Sequence, residues 1–118
     1  MGTFRLPESE KAYRNAIAQG ALAGACPLCA KEAIKTFTHW RLIVNDFPYD
    51  KIARVHHMLI PKRCVPEGSL TSEEREELLT LKSGEINEGY EYIIEALHNK
   101  KSIPGHFHLH CVIVRHEE

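Results

Sequence analysis

Apolar and polar positions change rhythm along this chain, and each rhythm predicts an element. Residues 8 to 20, ESEKAYRNAIAQG, place Ala12, Ala16 and Ile17 on one face of a helix that Gly20 stops. A stretch of small residues, ALAGACPLCAKEA, follows and predicts a tight turn around Cys26 and Cys29. FTHWRLIVN, residues 37 to 45, is rich in aromatic and β-branched side chains and predicts a strand. Pro48 lies in the break after it, because proline cannot continue a ladder. ARVHHMLIP predicts a second strand ending at Pro61. Thr71 and Glu74 then form a capping-box pattern. Leu79, Ile86, Tyr90, Ile93 and Leu97 recur at helical spacing, so a long helix is expected over residues 72 to 98, with His98 complementing its C-terminal dipole.

Strands on both sides of a capped helix predict an α+β domain, with the long helix packed on a mainly antiparallel sheet. The 118 residues fit one domain over 1–118, with an N-terminal helix and lead-in over 1–25 and a core over 26–118. A net charge of −1 gives no basic face for nucleic acid or an anionic membrane, and neither partner is expected. No apolar run approaches the roughly 20 residues that span a bilayer, and the opening MGTFRLPESE has no apolar signal region. A cytoplasmic location is the expectation, in which four cysteines serve thiol or metal chemistry rather than disulfides.

The remaining apolar rhythm is GHFHLHCVIV, residues 105 to 114. Alternate residues of a strand share a face, so His106, His108 and His110 point one way and Phe107, Leu109, Cys111 and Ile113 the other. The second set is an ordinary core face, and Cys111 reads there as a small core residue. A row of imidazoles on the first is unusual, since a half-exposed strand normally carries Thr, Lys or Ser. At ~3.3 Å per residue, His106 and His110 lie ~13 Å apart, too far for all three to converge on one ion without a sharp bend. At least one histidine is left free for other work.

HFHLHCV fits the pattern His-φ-His-φ-His-φ-φ, with φ apolar, and resembles the histidine triad (HIT) superfamily of nucleotide hydrolases and transferases. The upstream segment HHMLIPKRC, from His56 to Cys64, resembles the superfamily's second signature, a histidine and an apolar strand leading to a proline and basic residues. The resemblance covers most of residues 26 to 114 and implies a HIT-like fold and a two-step reaction. In it His108 attacks the α-phosphorus of a nucleoside phosphoramidate or phosphoanhydride, and water or another acceptor releases the nucleotide. A neutral imidazole, with an unperturbed pKa near ~6.5, needs no strong base to become a nucleophile. By the same resemblance His110 bonds phosphate oxygens or assists the leaving group, and His56 helps hold the nucleophile. Asn45 matches the ribose-contacting position, and Ser102 lies one residue beyond the usual place of a polar residue that helps the leaving group.

Cys26-Pro-Leu-Cys29 reads on its own as either a redox pair or half of a zinc site. Zinc-bearing members of the superfamily implicate a C-x-x-C, a histidine just after the Pro-basic segment, whose place Cys64 takes here, and the first triad histidine. Carried over, that gives structural zinc on Cys26, Cys29, Cys64 and His106, with His39 the spare ligand. The resemblance further implies a homodimer, and magnesium accompanying polyphosphate substrates. Two other readings stay open: a regulatory protein that binds nucleotide without turnover, and a metalloenzyme whose catalytic zinc sits on His106 and His108. Lys62 and Arg63 are read as solvated, His57 as structural, and Trp40 as core.

Overall fold

A computed structural model describes residues 3–20 and 26–116, so part of the small-residue stretch, 21–25, lies outside the described residues. Five strands form one antiparallel sheet in the order β1-β2-β3-β5-β4. They are β1 (Ala33–Thr36), β2 (Trp40–Val44), β3 (Ala53–Pro61), β4 (Tyr92–Ile94) and β5 (Leu109–Val114). Helix α1 spans Pro7–Ala18, α2 Ser72–Ser83 and α3 Glu85–Gly89. The α+β architecture is the one expected. No helix among the described residues is long and apolar enough to cross a membrane.

Each face of the sheet buries its own cluster. On one side Trp40, Leu42, Leu59, Leu109 and Cys111 meet Leu81 of α2 and Ile86 of α3. Trp40 is fully buried, and its indole N–H donates to the Glu74 carbonyl at 2.8 Å, so the ring's one polar atom is satisfied. On the other side Ile43, Met58 and Ile60 pack with Leu28, which leads into the cysteine turn. α2 and α3 thus cover one face, and the histidines of the triad segment lie toward the second, where α1 also sits.

The long helix over 72–98 is not formed. Its capped start is as expected: Glu74 N–H donates to Thr71 Oγ1 at 3.1 Å, and the Glu74 carboxylate accepts from Thr71 N–H at 2.8 Å. The chain breaks at Gly84, where an added Cβ would lie 3.0 Å from the Thr80 carbonyl, and α3 ends at Gly89. Tyr90 to Ile94 is aromatic and β-branched, a composition that favours strands. It becomes the lead-in and body of β4, pairing Ile93 with Cys111 on the edge of β5. Of the expected apolar face, Ile86 is buried and Tyr90 and Ile93 pack on the core, while Leu79 and Leu97 are exposed. His98 opens a 3₁₀ turn, His98–Lys100, instead of closing a helix. β1 is a further difference, an all-exposed edge strand that the sequence reading leaves in a turn and coil.

Glu74 is buried, and Arg63 donates to its carboxylate from Nε at 3.1 Å and Nη2 at 2.6 Å. The Arg63 bonds hold its pKa down at about 2. A depressed carboxylate stabilises the fold above its unfolded pKa, near ~4.3, and loses that contribution as pH falls toward the folded value. Glu74→Gln is therefore expected to lower stability at pH 7 by roughly 1–3 kcal/mol, the range for a hydrogen bond to a charged group. Thermal melts should show the gap to wild type narrowing between pH 5 and 2.

Candidate active site and metal cluster

β3, the lead-in to β5 and the 45–50 loop bring four rings together. Register pairs His56 with Val112 and Met58 with His110, so the histidines of the two strands meet across neighbouring rungs. The His56 and His110 rings are 4.9 Å apart, and His108 stands perpendicular to His110 at 5.1 Å. The Tyr49 ring packs on both His56 and His110, at 4.4 and 4.9 Å. All four histidines, 56, 106, 108 and 110, are buried. Phe107, Leu109 and Cys111 go to the opposite cluster, so the alternation of the sequence holds. The ladder itself begins only at Leu109, which leaves His106 in a bend and His108 in the coil that leads into the strand.

Backbone groups decide the tautomers, because an amide N–H can only donate and a carbonyl only accept. Tyr49 N–H donates to His56 Nδ1 at 2.9 Å, so the His56 proton is on Nε2. That proton goes to His110 Nδ1 at 2.8 Å. The Asn45 amide nitrogen, 3.4 Å from His56 Nε2, is then a packing contact. His110 in turn carries its proton on Nε2 and donates to the Tyr49 hydroxyl at 3.3 Å. The chain of bonds closes on the residue where it began. His108 Nδ1–H donates to the His106 carbonyl at 3.0 Å, so the lone pair of His108 is on Nε2.

Burial holds these imidazoles neutral. Desolvation pushes His110 down to about 3 and His56 to about 4, and the neighbouring histidines and Arg5 push the same way. His108 is lowered by burial as well. Each is then a neutral ring with one N–H to donate and one nitrogen lone pair.

His108, His110, Tyr49, Asn45 and Ser102 line one cleft with an empty volume of about 830 Å³, including its mouth. Helix α1 contributes Tyr13, Ala16 and Ile17 to the far wall, and the Tyr13 hydroxyl shares a 2.8 Å hydrogen bond with Ser102 Oγ. Asn45 Oδ1 accepts from Phe47 N–H at 2.7 Å, which fixes the side chain at the rim. His56 sits behind His110 and contacts it, not His108. Three cleft residues were missed by the sequence reading: Tyr49, Arg5 and Lys101. Arg5 donates to the Phe47 carbonyl at 2.8 Å and lies 3.8 Å over the Tyr13 ring. The Lys101 ammonium, on a side chain only 3% exposed, donates to the Ala96 carbonyl at 2.6 Å. Lys62 is exposed, and Arg63 serves Glu74 away from the cleft. His57 faces away and bonds the Tyr90 hydroxyl.

Beside the cleft, the ligand atoms of Cys26, Cys29, Cys64 and His106 all lie within 4.8 Å of one another. Cys26 Sγ and Cys29 Sγ are 3.3 and 3.6 Å from His106 Nδ1. The opposite ring nitrogen donates to the Pro61 carbonyl at 3.0 Å, so a lone pair on Nδ1 faces the thiols. A tetrahedral site with Zn–S bonds of ~2.3 Å has edges of about 3.8 Å, so small closing movements suffice. The thiols themselves ask for a cation. Burial raises the Cys26 pKa, but backbone N–H groups of Leu28 and Cys29 and the neighbouring thiols outweigh it and leave it lowered. Cys29 is pushed up to about 12, by burial first and then by Cys64 and Cys26. Crowded thiols share one negative charge readily and resist a second until a metal neutralises it. These four residues are close enough to hold a metal ion. His39 is not among them.

No family model matches the chain, and no curated protein matches it. Among solved structures it is similar to one described as "Hit Like Protein", with a TM-score of 0.53 and 18% identity over 86% of this chain and 96% of that one. The fold is HIT-like. At that identity the likeness shows the HIT-like fold alone.

Proposed function

We propose that this HIT-like protein is a nucleotide hydrolase or transferase that cleaves nucleoside phosphoramidates or phosphoanhydrides at the α-phosphate, with His108 Nε2 as the nucleophile. One observation carries the reading: with Nδ1–H tied to the His106 carbonyl, the cleft-lining His108 is a neutral imidazole whose one lone pair is on Nε2. Attack forms an N–P bond at Nε2 as the scissile P–O or P–N bond breaks; a phosphate leaves with that electron pair as an anion, and an amine leaves with it after taking a proton from solvent. Water or an acceptor hydroxyl then breaks that N–P bond and restores the imidazole. Arg5 and Lys101, paired with Glu10 at 3.4 Å and Glu95 at 3.5 Å, bring positive charge to the cleft wall, which suits a phosphorylated ligand. Asn45 and Ser102 at the rim are the proposed substrate contacts. The Cys26, Cys29, Cys64 and His106 cluster would hold zinc, which when bound supplies structure and brings no step to the reaction.

Turnover on adenosine and guanosine phosphoramidates and on dinucleoside polyphosphates tests the reading, with acid-quenched samples weighed by intact mass spectrometry. Nucleotide release together with a transient protein adduct of one nucleotide is the expected result. Nucleotide binding without turnover across the panel would leave a binding protein instead.

A further inference from the structure

The HIT resemblance hands the phosphate to His110, but here both nitrogens of that ring are already engaged by the protein. We propose that the Tyr49 hydroxyl, rather than His110, donates the hydrogen bond to a phosphoryl oxygen of the bound nucleotide. The inference rests on the nucleotide reading above and adds a substrate-contacting residue to it.

The relay runs in one direction only. It starts from an amide, Tyr49 N–H, whose donor role cannot reverse. His56 must then give its proton to His110 Nδ1, and His110 must give its own to the Tyr49 oxygen. An oxygen that accepts this bond keeps its own O–H free to donate elsewhere. Among the described residues, His110 is the one hydrogen-bond partner of that hydroxyl. Tyr49 lines the same cleft as His108, so the direction left for its proton is toward the ligand. His110 could reach a phosphate through Nε2 only by abandoning the phenol, which would strand the hydroxyl beside a buried ring.

The position is also rigid. The Tyr49 carbonyl accepts from Ile52 and Ala53 N–H at 3.1 and 2.8 Å, while Phe4 packs on the ring at 5.3 Å and Arg5 at 5.0 Å. A donor held in place before the ligand arrives spends no reorganisation on it. Burial raises the phenol pKa, which keeps the donor protonated across the neutral range. Successive bonds in one direction polarise each other and strengthen the last.

Tyr49→Phe removes the hydroxyl and keeps the ring. Calorimetric titration with AMP and GMP, and with adenosine and guanosine, reads its effect on the full chain loaded with zinc. Loss of a hydrogen bond to a charged oxygen should weaken nucleotide binding about tenfold and leave nucleoside binding unchanged. A purely structural Tyr49 would weaken both ligands alike, and an idle one neither. Either result overturns the proposal while wild-type nucleotide binding keeps the broader reading. If the wild type binds no nucleotide, both fall together. A second measurement needs no variant: ¹⁵N shifts should place the His110 proton on Nε2, and a proton on Nδ1 would sink the relay.

Discussion

Replacing His108 with alanine is expected to reduce turnover on the best substrate of the panel by on the order of 10⁴-fold or more. A covalent nucleophile cannot be substituted by positioning, and what survives its loss is only the contribution of binding and charge. The same variant should give no nucleotide adduct in the quenched sample, where wild type does. Its melt should stay near that of wild type, because among the described residues the ring's one hydrogen bond is to a carbonyl of its own segment. His116→Ala, exposed past the end of β5 and, among the described residues, paired with Glu91 at 3.7 Å, serves as the control that keeps wild-type turnover. An active, adduct-forming His108→Ala protein would remove the nucleophile from this site.

Stripping the metal is the second large effect. The purified protein should carry about one zinc per chain by elemental analysis. Chelation, or Cys29→Ser and Cys64→Ser, should abolish that stoichiometry, whereas Cys111→Ala should not, since Cys111 is buried in the other cluster. Structural zinc contributes roughly 10 kcal/mol or more to small folds, against a total stability of ~5–15 kcal/mol for a domain of this kind. The magnitude decides the outcome: the stripped protein should unfold, or melt well over 10 °C lower. His106 links the two sites, its ring facing Cys26 and Cys29 while its carbonyl holds His108. Partial metal loss should therefore depress activity before the whole sheet melts. Unchanged melting with abolished activity would instead mark the zinc as catalytic.

How legible these features were depended on how local their causes are. The α+β class, β3 up to Pro61 and the capping box at Thr71 follow from neighbouring residues, and all three are seen. The Cys26, Cys29, Cys64 and His106 set came through family likeness, and the four do converge. The long helix failed because Leu79, Ile86, Tyr90, Ile93 and Leu97 satisfy a helical count by accident. Gly84 and Gly89 were the contrary signal, and Tyr90 to Ile94 had the composition of an edge strand. Tyr49 was invisible for a different reason. It sits in an irregular loop after Pro48, and its meeting with His110 spans 61 residues. Its own neighbours in sequence say nothing of that partner.

The two walls of the cleft are unequally owned by the fold. Strand β3 is locked into both clusters and β5 into the larger one, whereas α1 buries none of its residues. It is tethered through Asp50, which accepts from Leu6 N–H and Ser9, and through Arg5 and Tyr13. Mutational drift over α1 thus escapes the penalty that protects the sheet. A lineage built on this plan can exchange that segment, and with it the ligands admitted, while inheriting the same row of histidines unchanged.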